Sequence, residues 1–350
     1  MSDNEPELEF GIKHHSNRAI TYWLVTLCVT IFTMIVVGGI TRLTESGLSM
    51  VEWRPLLGTL PPASEAEWQR VFSAYQAYPQ YQLINHAMTL DGFKTIFYWE
   101  YGHRLLGRLI GVMFALPFFF FLFTGRIERE LKPKLWVALL LGGSQGLMGW
   151  YMVKSGLVDE PLVSHFRLAA HLCLALVILA YLIWLVLDQV MVSRVEVSKV
   201  FGRTVFFFTA LLCVQIVYGA FVAGNRAGYG FNTYPLMNGQ WLPEVALSLM
   251  PFWHNLVDNN AMLQFIHRWI GGLVLFLALV LAVIAYLREA RAVKVVTFAL
   301  LGAVVCQFLL GVLTLIHVVP IGLASVHQAG ACIVVLAIVV LLHVVAGNRK

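Results

Sequence analysis

Charge is what this chain has least of. Asp, Glu, Lys and Arg make up 12% of its 350 residues and apolar side chains 59%, whereas a soluble domain carries about 25% charged residues. A water-soluble globular fold is excluded, and a mean hydropathy of +0.77 makes lipid the solvent for most of the chain. Cysteine is sparse as well. The five (Cys28, Cys173, Cys213, Cys306 and Cys332) all lie within apolar runs and form no CxxC pair, so they read as small buried apolar residues rather than a disulfide framework or thiolate cage. A basic leader is missing too. The opening MSDNEPELEFGIKHH is acidic and polar, unlike a secretory signal or an Arg-rich transit peptide, and the expected address is a bacterial inner (plasma) membrane. The net charge of +5 is scattered in short stretches between apolar runs. No nucleic-acid partner is expected, and the charges act as topology signals.

Apolar runs of roughly the 20 residues that cross a bilayer fall near 20–40, 99–123, 135–153, 164–187, 203–224, 262–287, 293–316 and 320–345. The expectation is an all-α integral membrane protein with eight transmembrane helices. The linkers RIERELKPK, DQVMVSRVEVSK and REARAVK are basic, as are Lys13, Arg18, Arg349 and Lys350. All would share the cytoplasmic side with both termini. Two long connections, 41–98 and 225–261, are rich in Trp, Tyr, Pro and Gly and would lie on the outer side. Within the first, SEAEWQRVFSAYQAY sets Trp68, Val71, Phe72 and Tyr75 on one helical side, the pattern of an interfacial amphipathic helix.

The second half repeats the landmarks of the first in order. IVVGG at 35–39 is matched by IVYGA at 216–220, EYGHRLLG at 100–107 by QFIHRWIG at 264–271, QGLMG at 145–149 by QFLLG at 307–311, and His171 by His327. Four helices per repeat is an even number, so both halves share one orientation about a pseudo-two-fold axis along the membrane normal. The expected organisation is a cytoplasmic segment 1–19, a four-helix bundle 20–187, a cytoplasmic linker 188–202 and a second four-helix bundle 203–345. Gly38, Gly107, Gly146, Gly149, Gly219, Gly271 and Gly311 lie inside helical runs, where they serve close packing or make room for a flat cofactor.

Four histidines carry the chemistry. His103, His171, His267 and His327 each fall toward the outer end of an even-numbered span, at similar depth, where an unpartnered imidazole is costly. The repeat pairs His103 with His171 and His267 with His327. Two neutral imidazoles facing each other across a bundle can supply both axial ligands of a haem iron, while zinc would be left with an incomplete tetrahedron. Arg104, Arg268 and Arg167 lie near the outer boundary, where propionates would emerge, and are candidates for charge-assisted contacts with them. His14, His15, His86, His165, His254, His317 and His343 have no equivalent in the other half and are not expected to be ligands. Glu100 precedes His103 by three residues and shares its helical face, but the matching residue of the second half is the neutral Gln264. A carboxylate beside one site only is suited to taking protons or stabilising developing positive charge. These residues alone leave three readings open: an oxidoreductase, a non-catalytic dihaem b-type electron-transfer protein, and a transporter with histidines in a proton path.

Over about residues 20–345 the sequence resembles the haem A synthase family, which converts haem O to haem A for terminal oxidases. The resemblance rests on GGITRLTESGLSMVEWRPLLGTLPP at 38–62, on Glu100, His103 and Arg104, on His171, and on His267-Arg268 with His327. It implies successive oxidation of a haem methyl group to a formyl group. It also implies that Glu100, His103 and His171 handle the substrate haem O, and that His267 and His327 hold a resident haem b that relays electrons. Haem O synthase and oxidase assembly factors are the implied partners. The connection 41–98 has no cysteine, so the chain is similar to the cysteine-free proteobacterial and mitochondrial class, and no thiol step is implied.

Overall fold

The computed structural model describes residues 17–52, 60–156, 163–191 and 195–346. His14, His15, most of the expected segment 1–19, the stretch 53–59 and part of the linker 188–202 lie outside them. Among the described residues every regular element is a helix. In chain order these are α1 (Arg18–Leu43), α2 (Glu65–Gln76), α3 (Pro79–Leu83), α4 (Leu90–Phe123), α5 (Leu131–Gly156), α6 (His165–Val190), α7 (Lys199–Gly224), α8 (Trp253–Val257), α9 (Asn260–Arg288), α10 (Arg291–Ile316) and α11 (Ile321–Val345). Seven of them, α1, α4, α6, α7, α9, α10 and α11, are long and apolar enough to cross a membrane, which makes this a multi-pass membrane protein. The expected span at 135–153 lies on α5. That helix has 26 residues, but Gly142, Gly143, Ser144, Gln145 and Gly146 at its centre dilute its apolar character.

Helix starts follow the caps written in the sequence. The side chains of Asn17, Thr89, Ser198 and Asn259 accept the first free N–H groups of α1, α4, α7 and α9, as N-cap residues do. Hydroxyls within the spans turn back on their own helix: Thr26, Thr30 and Thr33 of α1 donate to carbonyls four residues earlier at 2.8–2.9 Å, leaving no free donor toward lipid. Pro117 sits inside α4 and has no N–H for the carbonyl of Met113. The indole of Trp23 on α1 takes that place, donating to Met113 O at 2.7 Å.

The amphipathic segment forms α2, capped by Ser64, and its Trp68, Phe72 and Tyr75 are buried. They pack on Phe97 and Phe93 of α4 with ring centroids 5.0–5.2 Å apart. This explains why α4 begins at Leu90 rather than near 99: its extra turns form the apolar surface that covers α2.

Helices α1, α4, α5 and α6 form one ring of neighbours and α7, α9, α10 and α11 another, and the rings meet through α1 on α11, α6 on α7 and α6 on α11. The buried cores lie toward the face carrying the start of α1 and the end of α11. One gathers Leu24, Phe118, Leu135 and Leu182, the other Phe201, Leu281, Leu300 and Leu341. At the opposite face, under the long connections, histidines and glycines take over. Outward-facing Val112, Leu116, Phe120, Phe276 and Val283 are exposed, as lipid contact requires. Cys213 and Cys306 are exposed as well: the expectation of burial fails for them because they lie on the outward faces of α7 and α10.

Candidate functional site

His103 on α4 and His171 on α6 lie across the first ring from each other, each helix packing on α1 and α5. His267 on α9 and His327 on α11 stand in the same relation in the second ring, each helix packing on α7 and α10. His103 and His171 thus lie on opposite helices of one ring, and His267 and His327 on opposite helices of the other.

Each imidazole rests on a glycine of a neighbouring helix. A Cβ added to Gly38 would stand 3.1 Å from His103 Nε2, and one on Gly149 would stand 3.2 Å from His171 Cε1. In the second ring Gly219 and Gly311 would bring a Cβ to 3.0 Å and 2.9 Å from Cε1 of His267 and His327. These separations are tighter than ordinary carbon contacts, so only glycine leaves the rings in place. Glutamines fix the helix backbone behind the histidines. Gln145 donates to the carbonyl of His171 at 3.1 Å and Gln307 to that of His327 at 2.9 Å. Gln145 Nε2 also lies 3.3 Å from His171 Nε2, and Gln215 Nε2 lies 3.5 Å from His267 Nε2.

A haem can be tested against this donor set. Nδ1 of His171, His267 and His327 is buried without a hydrogen-bond partner, which buried polar atoms rarely are. Among the described residues no three His, Cys, Asp or Glu side chains gather into a cage; what each site offers is an imidazole pair in a glycine-lined space. That is the donor set of an iron that brings its own equatorial nitrogens, and the residues fit the group.

Glu100 is buried and fully engaged. Its carboxylate accepts from the Ser49 hydroxyl at 2.7 Å and the Met50 N–H at 2.6 Å, and it pairs with Arg104 one turn on. Arg104 in turn donates to Met50 O at 2.8 Å. The second half repeats the clasp without the charge. Gln264 donates to Ala227 O and Gly230 O at 2.9 and 2.6 Å and accepts from Arg268 at 2.6 Å, while Arg268 also donates to Phe231 O and, at 2.8 Å, to Thr233 O. Arg104 and Arg268 thus tie the connections that follow α1 and α7, and Arg167 lies over the Tyr151 ring at 5.3 Å. Sequence reading missed this duty of the two arginines, because the backbone carbonyls they bind carry no signature. It also missed Gln145 and Gln307, although each opens a landmark that the repeat had already marked.

Four of the remaining histidines have other partners. His343 pairs with Asp188 at 3.1 Å, and Asp188 with Lys134 at 2.7 Å. His254 pairs with Asp258 at 2.9 Å, and His165 lies 3.5 Å from the same carboxylate. His317 Nδ1 lies 2.9 Å from the carbonyl of Leu313.

The family model for a cytochrome oxidase assembly protein, COX15-CtaA, matches residues 21–339. Over 321 residues the chain is 45% identical to a protein of Parvibaculum lavamentivorans named heme A synthase, covering 91% of this chain and 92% of that one. Proteins of the same name from Nitrosospira multiformis and Azorhizobium caulinodans are 45% and 43% identical, with 90% and 96% of this chain covered and the same shares of theirs.

Proposed function

The chain belongs to the COX15-CtaA family of cytochrome oxidase assembly proteins, and from that premise we propose that it is the oxidoreductase that converts haem O to haem A. The first ring, with His103 and His171, takes the substrate haem O, and Glu100 is the acidic group beside the methyl carbon that becomes the formyl carbon. The second ring, with His267 and His327, holds a resident haem b. When bound, that group supplies one-electron redox chemistry.

One observation carries the assignment of the chemistry to the first ring. Gln264 holds its connection with an amide that donates to two backbone carbonyls and accepts from Arg268, so a clasp at this place in the repeat can be built without a charge. A buried carboxylate costs more than an amide, and its presence in one half only points to a task beyond structure. Ser49, Met50 N–H and Arg104 hold the carboxyl in one orientation, three residues from His103 on the same helix, where it can take or hold a proton at Oε1 or Oε2. The glycines set the imidazoles, and the glutamine carboxamides keep the helix turns behind them from shifting.

In this reading α5 is the eighth span. It packs between α4 and α6, and its Gln145 and Gly149 lie against His171. The rings are related by a pseudo-two-fold axis at α6 and α11, since α1 on α11 corresponds to α7 on α6. Both termini are cytoplasmic and the histidines lie near the outer face of the bacterial inner membrane. Arg104, Arg167 and Arg268 are the residues assigned to contact the propionates. Haem O synthase and oxidase assembly factors are the partners this chemistry calls for. The test is chromatography of haems extracted from haem-O-producing cells that express the wild type or Glu100→Gln. Haem A with the wild type alone supports the proposal; haem A from neither removes it.

A further inference from the structure

Gln328 follows His327 on α11, and consecutive helix residues point about 100° apart, so it does not share the direction of the imidazole. Its side chain instead crosses the boundary between the rings, where Nε2–H donates to the carbonyl of Ile35 on α1 at 2.7 Å. That carbonyl belongs to the turn that carries Gly38 and Gly39. A Cβ on Gly39 would stand 1.9 Å from Gln328 Oε1, and one on Gly38 would stand 3.1 Å from His103 Nε2. One turn of α1 is therefore held on one side by a histidine of the first pair and on the other by the residue adjoining a histidine of the second.

Packing alone does not require this. The repeat places Leu172 opposite Gln328 in register and Ala220 opposite Gly39, and α6 packs on α7 as α11 packs on α1. The repeat offers an apolar pair of residues to one crossing, whereas the other retains a carboxamide, which needs a partner in an apolar setting, and a glycine, which weakens a helix interior. The departure from symmetry falls on a protein connection between the two histidine pairs, from His327 through Gln328 and Ile35–Gly38 to His103.

We propose that Gln328 is a positioning residue that couples the two haem sites: by fixing α11 in register on α1, it holds the glycine face against which His103 is set. The inference rests on the haem reading above. With the His267–His327 site filled, α11 is ordered at Gln328 and the first site is preformed; the coupling is reciprocal, as any such linkage must be.

The test uses full-length protein purified with its resident haem, haem B measured after extraction, and haem O titrated in by its Soret change. Gln328→Leu should keep haem B per protein at the wild-type ratio and weaken haem O binding about tenfold, the size of an ordinary coupling between sites. Gly39→Ala, which displaces the carboxamide, should do the same. The double variant Gly39→Ala/Gln328→Leu copies the Ala220–Leu172 pair; it should recover wild-type thermal stability but not haem O affinity. Wild-type haem O binding in Gln328→Leu or in the double variant overturns the proposal, as does loss of haem B from Gln328→Leu, which would mark damage at His327 itself. A wild-type protein that binds no haem at all sinks the haem reading and the coupling together, whereas intact haem binding in every variant sinks the coupling alone.

Discussion

At the scale of single residues, Glu100 and Gln264 show one place in the repeat filled with and without a charge. Glu100→Gln keeps an oxygen for Arg104 but turns its amide donor toward the Met50 N–H that the carboxylate accepts from, so it should fold with a loss of about 1 kcal/mol and keep haem B, while haem A formation falls about 100-fold or more, the usual contribution of a positioned proton carrier. Glu100→Ala leaves Arg104 and the Met50 N–H without their acceptor and should lose thermal stability as well, by about 1–3 kcal/mol. Differential scanning of both variants beside haem chromatography separates the two effects, and a Glu100→Gln enzyme with full haem A output would reduce Glu100 to a structural residue. The ligand assignment has its own check: His267→Ala or His327→Ala should deplete extracted haem B, and His103→Ala or His171→Ala should halt conversion of haem O. Unchanged haem and product in all four variants would remove the assignment. These side chains were legible in the sequence because the repeat sets each histidine against its counterpart and exposes Glu100 as the exception. Ser49, Met50 and the carbonyls bound by Arg104 and Arg268 were not legible, since backbone groups become partners only when a connection folds over the ring.

At the scale of elements, α1 and α4 show how the spans are fastened where their sequences break helix rules. Pro117 removes one hydrogen bond from α4, and Trp23 replaces it from α1. Trp23→Phe keeps most of the packing against Phe114 and Phe121, whose ring centroids lie 5.4 and 5.8 Å away, but leaves Met113 O unpaired. The expected loss is about 1–3 kcal/mol, the penalty of an unsatisfied buried group, and Pro117→Ala in the same chain should recover most of it by giving the helix back the N–H that the proline ring removes. Thermal denaturation in detergent reads both, and equal stability of Trp23→Phe and wild type would show that water or lipid headgroups satisfy the carbonyl. The sequence announced the proline and the tryptophan but not their meeting, since the indole and the carbonyl it binds are 90 residues apart. The same limit placed the start of α4 too late: hydropathy registers where lipid contact ends, while the helix continues because α2 supplies another apolar surface.

At the scale of the whole molecule, duplication creates a problem where equivalent positions approach each other across the boundary between the rings. Glu45 and Arg226 occupy the same place in the two halves, each just past the end of its helix with φ in the left-handed region, 57° and 56°. They pair with each other at 2.6 Å. Had both halves kept one residue, like charges would face each other here; divergence into opposite signs turns repulsion into attraction and favours this pairing of halves over any alternative. Arg42 adds to the seam by donating to Ala223 O and Gly224 O at 2.9 and 2.8 Å, where the C-terminal carbonyls of α7 favour a cation. Glu45→Arg should therefore destabilise by more than the ion pair is worth, because it places a third guanidinium beside Arg42 and Arg226. Arg226→Glu should cost less, since Arg42 remains to balance the added carboxylate. The swap Glu45→Arg/Arg226→Glu re-forms the pair in reverse, and a double-mutant cycle on thermal unfolding should give a coupling of about 0.5–1 kcal/mol, as expected for a half-exposed pair. Strict additivity of the two substitutions would show that the halves are held by their apolar contacts and Arg42 alone, with the charge divergence at Glu45 and Arg226 contributing nothing to the choice of partner.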